Sequence, residues 1–203
     1  MNRRLRAFVG GIANGGAGSR RLLDETWCVH LGSALRNDAR IRSLLPRSAV
    51  AVQCTLFDKS PTKNWLVSLH QDLSIPVASR VDDPGLSGWS EKEGQLYVQP
   101  PVSVLERLVA VRVHIDDSTS ENGALRVVPE SHLQGRVDQT QAVSLREQHG
   151  ETVVPVGRGG VLVMRPLILH ASSKANTPSS RRVLHFVFGP PSLPLGLEWQ
   201  WAV

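Results

Sequence analysis

Leu108-Val109-Ala110-Val111-Arg112-Val113-His114-Ile115, then the polar run from Asp116 to Gly123, then Ala124-Leu125-Arg126-Val127-Val128-Pro129, is the stretch on which the fold reading turns. Eight residues rich in β-branched side chains, a turn of Asp, Ser, Asn and Gly, and a second short apolar run closed by proline read as strand, turn, strand. The same texture extends both ways. Val50 to Phe57, Trp65 to Leu69, Thr152 to Val156, Val161 to Leu169 and Val183 to Phe188 are further short apolar runs bounded by Gly and Pro. The Gly157-Arg158-Gly159-Gly160 turn between two of them reads as a hairpin.

Upstream the period changes. Leu23, Trp27, Leu31 and Leu35 recur every four residues, which predicts a helix over 23–37, with a second short helix capped by Asp38 and stopped by Pro46. Two long polar segments, 79–103 and 133–151, read as loops. Two helices followed by seven or eight short strands, without strand–helix alternation, predict a mainly β protein. Its expected architecture is a jelly roll with N-terminal helices packed on it. The expected organisation is one domain over 1–203: a basic arm and helices over 1–47, a jelly-roll core over 48–191 and a tail over 192–203.

The 203 residues carry a net charge of +5 and a pI near 9.9, which raises the question of nucleic acid. The charge is local. Residues 1–47 hold nine Arg against three acids, while the remainder is close to neutral. A solvated basic segment, with no nucleic-acid partner, is the expectation. Two cysteines, Cys28 and Cys54, exclude a disulfide scaffold or a Cys-rich zinc module and read as small buried hydrophobes. No apolar run has membrane-spanning length and no signal-peptide core follows the N-terminus, so a cytoplasmic protein without a membrane partner is expected.

Chemistry concentrates in the histidines. His70-Gln71-Asp72 ends a strand, and residues two apart on a strand share a face, so one strand end can offer a His and a carboxylate to one metal. His170, after the Val161–Leu169 run, is the natural third ligand. Two His and one carboxylate leave open positions on iron, the arrangement of non-haem Fe(II) oxygen chemistry. His114-Ile115-Asp116 is a second pair of the same form, and spacing alone does not choose between them. Arg181-Arg182 enters the last strand, where a guanidinium can hold a carboxylate bidentately. Serine-hydrolase and phosphate-loop motifs are missing from the sequence.

Five blocks in order then carry a resemblance. They are Trp65 to Leu73, Glu121 to Leu125, Val128-Pro129-Glu130-Ser131-His132, Arg165 to Ser172, and Arg181 to Phe186. Over roughly Phe57 to Pro190 the chain resembles the phytanoyl-CoA dioxygenase family of iron(II)/2-oxoglutarate oxygenases. The resemblance implies a double-stranded β-helix, the cupin-like form of the jelly roll. It implies that His70, Asp72 and His170 bind Fe(2+), and that the pair at 70–72 rather than the one at 114–116 supplies the metal. It implies that Arg181, or its neighbour Arg182, pairs with the distal carboxylate of 2-oxoglutarate, with Ser172 offering a hydroxyl to the same group and Gln71 touching the cosubstrate. The partners implied are a small-molecule substrate, 2-oxoglutarate and dioxygen, and the reaction is hydroxylation with release of succinate and carbon dioxide. The carboxylate of Asp72 speaks for hydroxylation over halogenation.

Arg112, alternating with Val111 and Val113, is expected to point into the barrel and contact 2-oxoglutarate or an anionic substrate; a salt bridge at the barrel mouth is the alternative. His114, His132 and His185 are expected to be structural, Lys59 to be either a cosubstrate contact or an exposed turn lysine, and Trp89 to cover the substrate. Glu130 stands where the family usually has Gly, which leaves the turn geometry open. The rival to an oxygenase is a jelly-roll protein that binds a small molecule without turning it over.

Overall fold

Alternation along the central strands builds the molecule. The computed structural model describes residues 18–176 and 179–203; all but the last three residues of the Arg- and Gly-rich segment read over 1–20 lie outside them. In chain order the elements are β1 (Gly18–Ser19), a 3-10 turn at Leu22–Asp24, α1 (Thr26–Asn37), α2 (Ala39–Arg42), β2 (Val50–Lys59), β3 (Val67–His70), β4 (Ile75–Val77), β5 (Ser87–Lys92) and β6 (Gln95–Gln99). There follow α3 (Val102–Leu105), β7 (Val109–His114), β8 (Leu125–Val127), α4 (Gln139–His149), β9 (Thr152–Val154), β10 (Val161–Met164), β11 (His170–Ser172) and β12 (Arg181–Gly189). Three antiparallel sheets result, with strand orders β1-β2-β12-β7-β10, β3-β11-β8-β9 and β4-β6-β5.

One face of the five-stranded sheet carries Cys54, Leu56, Val111, Val113, Leu184 and Phe186, buried against Leu23, Cys28, Leu35 and Ile41 of the N-terminal helices. Gly32 of α1 lets the helix approach closely, with Ala51 and Phe186 at 3.4 Å from where its Cβ would stand. The opposite face carries Thr55, Phe57, Arg112, Arg181 and His185 toward the sheet that holds β3 and β11. Ala110, Leu125 and Met164 pack between the two sheets. Asp38 caps α2 as the sequence suggests, accepting from Arg40 N at 3.0 Å.

Three readings are corrected. The 133–151 segment is not a loop: α4 runs through it, opened by a capping box in which Asp138 Oδ1 accepts from Gln141 N and Gln141 Oε1 from Asp138 N. The 79–103 segment is not irregular: β5 and β6 form a hairpin over the Glu93-Gly94 turn, both residues at positive φ, and β4 completes a sheet. The 152–169 region is not a hairpin, because β9 pairs with β8 and β10 with β7, so the Gly157–Gly160 turn passes the chain between sheets. Glu130 answers the turn question by taking the left-handed conformation itself, φ 62°. Ser131 then ties this turn to the approach to β11, its Oγ donating to Val128 O and accepting from Leu169 N, both at 2.8 Å.

Gly123, at φ +81°, is the tightest of the turns near the barrel interior: a Cβ there would meet Ser173 O at 2.4 Å and Lys59 Nζ at 3.2 Å. Both the left-handed backbone and the backbone contact forbid a side chain. Gly123→Ala is expected to destabilise the fold by at least about 2 kcal/mol, read as a lowered urea midpoint at unchanged slope. A midpoint within error of wild type would show that the turn relaxes freely.

Candidate active site

β3 and β11 run side by side with His70 opposite His170, which brings two histidines from residues a hundred apart into ring contact, centroids 4.2 Å apart. Each is oriented the same way. His70 Nδ1 donates to Ser68 O and His170 Nδ1 to Ile168 O, both at 2.8 Å. A carbonyl only accepts, so the proton sits on Nδ1 and the Nε2 lone pair of each ring is free for a metal. Asp72 follows the end of β3, its amide donating to Pro166 O at 3.0 Å. Its carboxylate lies 3.7 Å from His70 Nε2 and 3.7 Å from His170 Nε2. One ligand atom from each of His70, Asp72 and His170 falls within 4.8 Å of the others, and it is the metal-competent group found among the described residues.

The tie between the two His-x-Asp pairs is thereby broken. Asp116 is held by the Arg182 guanidinium through contacts of 2.7 and 3.0 Å, and His114 lies buried near Arg112 and Arg181. Burial first, then those two guanidinium groups, depress the His114 pKa to about 4, so the ring is neutral.

Two chambers meet at the triad. The inner one, about 70 Å³, is lined by Phe57, Trp65, Arg112, Leu125, Ser172 and Arg181 together with the triad. The outer one, about 370 Å³, shares Phe57, His70 and Asp72 and is walled by Tyr97, Gln99, Lys92, Gln53 and His185, among others.

The inner chamber is strongly cationic. Arg181 is buried, and its Nε and Nη1 have no hydrogen-bond partner; Nη2 reaches Ser172 Oγ at a long 3.5 Å. Arg112 gives Nη1 to His185 Nδ1 at 2.9 Å and covers the Phe57 ring, while its Nε is unpartnered. Its partners are an imidazole and an aromatic face, not the acid of a mouth salt bridge. Burial pulls both guanidinium pKa values down to about 10, still charged at neutral pH. Lys59 is not an exposed turn residue. It is 1% exposed, with Nζ donating to Ser172 Oγ at 2.9 Å and Ser173 O at 2.6 Å. Buried donors without acceptors are rare in folded proteins, and several converging on one chamber describe a receptor for an anion.

Other placements differ from expectation. Gln71 braces the site: Nε2 donates to Gly135 O and Leu167 O, and Oε1 accepts from Val137 N. Its amide is committed to backbone, and it lines the outer chamber, not the inner one. Trp89 packs on the core with Arg80 over its ring and lines neither chamber. His132 sits in the 3-10 turn Ser131–Gln134, beside an outer groove with Leu105 and Arg165. His185, read as a core residue, faces the site with Nε2 3.8 Å from Asp72. Strand alternation was the available signal, since an inward Arg181 on β12 implies an inward His185.

Lys59 also sets a pH dependence. Burial, then Arg181 and Arg126, lower its pKa from 10.5 to about 8. Between those values the unfolded chain binds more protons than the folded one. The empty protein therefore gains stability as pH rises through that window, while the chamber loses a positive charge. The affinity of the inner chamber for a dianion is expected to be flat below pH 7 and to weaken once pH passes about 8, as the Coulombic support of the ammonium behind Ser172 is lost. Lys59→Met should flatten the profile at the weak limit; a wild-type profile flat to pH 10 would remove Lys59 from the chamber's chemistry.

A jelly-roll barrel holding two imidazoles and a carboxylate on one wall and an anion receptor on the other defines a class, that of non-haem metal oxygenase scaffolds. The family profile of phytanoyl-CoA dioxygenase (PhyH) matches residues 19–183, and the chain belongs to that family. Among solved structures it is similar to iron-bound EctD from S. alaskensis, with 20% identity, a TM-score of 0.67, and coverage of 97% of this chain and 70% of that one. It is also similar to iron-bound HygX from Streptomyces hygroscopicus, with 17% identity, a TM-score of 0.61, and coverage of 98% and 87%. AviO1 from Streptomyces viridochromogenes matches at 22% identity and a TM-score of 0.51, over 85% of this chain and 61% of that one. The chain thus spans less than two thirds of AviO1, and 32% of EvdMO1. These likenesses are of fold. No match was found among curated proteins. No helix of the described residues is long and apolar enough to cross a membrane.

Proposed function

We propose that the protein is an Fe(II)/2-oxoglutarate-dependent dioxygenase that hydroxylates a C–H bond of a small organic substrate and releases succinate and carbon dioxide. One observation carries the reading. The unpartnered guanidinium edge of Arg181 and the metal-competent group of His70, Asp72 and His170 line one small chamber. A diacid with an α-keto group has one end for each. Support comes also from the family, and from EctD crystallised with 2-oxoglutarate and 5-hydroxyectoine and HygX with nickel and 2-oxoglutarate.

In this reading His70, Asp72 and His170 hold the iron. Arg181 takes the distal carboxylate; Ser172, whose hydroxyl accepts from Lys59 Nζ and donates to Gly123 O at 2.8 Å, joins it by turning that proton from the carbonyl to the diacid. Arg112, fixed by His185 and Phe57, faces the cosubstrate from β7. Bound iron supplies the activation of dioxygen. The protein's part is to present two Nε2 lone pairs and one carboxylate at fixed positions, to neutralise the diacid, and to leave the outer chamber for the substrate. The substrate enters beside Phe57, His70 and Asp72, the residues common to both chambers. The two buried free cysteines suit a reducing compartment, and we place the protein in the cytoplasm. A jelly-roll protein that only binds would have no use for an oriented His/Asp/His group. Anaerobic addition of Fe(II) and 2-oxoglutarate is expected to give the visible absorption band of the chelated complex, and oxygen to give succinate. Absence of the band in the wild type would overturn the proposal.

A further inference from the structure

The outer chamber has an uneven charge inventory. Three charged groups line it, Asp72, Arg20 and Lys92, beside the imidazoles of His70 and His185. Asp72 belongs to the metal group. Arg20 is already neutralised: its Nη1 and its amide both bind the Glu93 carboxylate, each at 2.8 Å. Glu93, the residue that follows Lys92 into the β5–β6 turn, is thus engaged by Arg20. Among the described residues the Lys92 ammonium has no carboxylate within ion-pair distance; it rests over the Tyr97 ring, 4.7 Å from the centroid. That contact holds the stem against β6 and keeps the charge at the chamber wall, since Tyr97 lines the chamber as well. Lys92 and Asp72 line the same chamber. The remaining polar lining, Gln53, Thr55, Gln71, Ser74 and Gln99, is neutral.

From this arrangement we infer that the primary substrate is a small organic anion, a carboxylate or a phosphate ester, whose charged end is received by Lys92 while a C–H bond lies toward His70 and Asp72. The inference rests on the oxygenase reading of the same site and names its substrate class. A volume of about 370 Å³ lies near the lower end of ligand pockets, which suits a compact acid. Once Asp72 is engaged by a metal, Lys92 is the unmatched charge of the wall, and an incoming anion gains its attraction without having to displace a resident carboxylate.

The test uses protein loaded anaerobically with Fe(II) and 2-oxoglutarate, so that the chelate band reports the inner chamber independently. Calorimetry then compares hexanoate, phenylacetate and hexyl phosphate with hexanamide, phenylacetamide and hexanol. At least one anion is expected to bind ten or more times tighter than its neutral counterpart. Carboxylate and phosphate arms show which head group is preferred. Lys92→Gln should erase the preference and Lys92→Arg retain it, both with an intact band. Arg146→Gln, a charge loss on the exposed face of α4, should leave the preference as in wild type. An intact band with anions and neutral probes binding alike, or with neither binding, overturns the substrate class and leaves the oxygenase reading standing. Failure of the band in wild type brings down both.

Discussion

Asp72→Ala is expected to remove the chelate band entirely and to drop succinate formation by at least about a thousandfold. The two imidazoles that remain are neutral and give the metal no charge compensation, and chelation falls from three protein atoms to two. In the metal-free protein desolvation opposes ionisation of Asp72, but His170, His70 and His185 together hold its carboxyl well below the usual carboxylate range. Its removal therefore takes a real anion, not a shared proton, out of the site. The fold should survive, because the Asp72 amide keeps its bond to Pro166 O whatever the side chain. The informative comparison is Asp116→Ala. That change destroys the second His-x-Asp pair and frees Arg182 from its ion pair, lowering stability while leaving the band and turnover intact. A band that survived Asp72→Ala and vanished with Asp116→Ala would assign the metal to the wrong end of the barrel.

Arg181→Met should move two properties in opposite directions. The Michaelis constant for 2-oxoglutarate is expected to rise by roughly a hundredfold to ten-thousandfold, the loss of two charge-assisted hydrogen bonds at about 1.5–3 kcal/mol each. The melting temperature of the empty protein should rise by a few degrees. In the absence of cosubstrate Arg181 is a buried cation with two unpartnered nitrogens and cationic neighbours, Arg112 and Lys59. Replacing an uncompensated buried charge by an apolar side chain of similar length is stabilising. Arg182→Met is the contrasting case, since it breaks the Asp116 pair and should lower the melting temperature at an unchanged Michaelis constant. Substrate-dependent succinate release and thermal scans without cosubstrate read the two effects. An unchanged Michaelis constant in Arg181→Met would place the diacid elsewhere.

Why the sequence allowed some of this and not the rest follows from where the information sits. The β7 pattern says that Arg112 shares a face with Ala110 and His114, and the structure puts that face inward. Period two is a property of one strand and needs no partner. What lies opposite depends on pairing between distant segments. The approach of Lys59 to Ser172, or the bracing of Gln71 against Gly135 and Leu167, has no local signature. α4 went unread because its buried side is little more than Ala142, leaving almost no apolar period, although Asp138-Gln139-Thr140-Gln141 spelled its cap. The β5–β6 hairpin went unread because Ser87-Gly88-Trp89-Ser90-Glu91-Lys92 lacks the alternation of a half-buried strand and its turn is Glu-Gly, not Asn-Gly. With it went Lys92, so the residue on which the substrate inference rests was invisible until the wall was seen.

β12 lies between β2 and β7, paired to β2 from Arg181 to Gly189 and to β7 from Val183 to Phe188. On one side it supplies Leu184, Phe186 and Phe188 to the hydrophobic core, and on the other Arg181 and His185 to the site. His185 is therefore held in register by a strand on each side, while Arg181, the first residue of β12, is paired with Lys59 of β2. The substrate wall is different in kind. β5 is the edge strand of a three-stranded sheet, paired on one side only and tied to the core through Trp89. A change at Lys92 therefore disturbs one strand pairing, where a change at His185 disturbs two, and strand position alone makes the outer wall the easier of the two to vary.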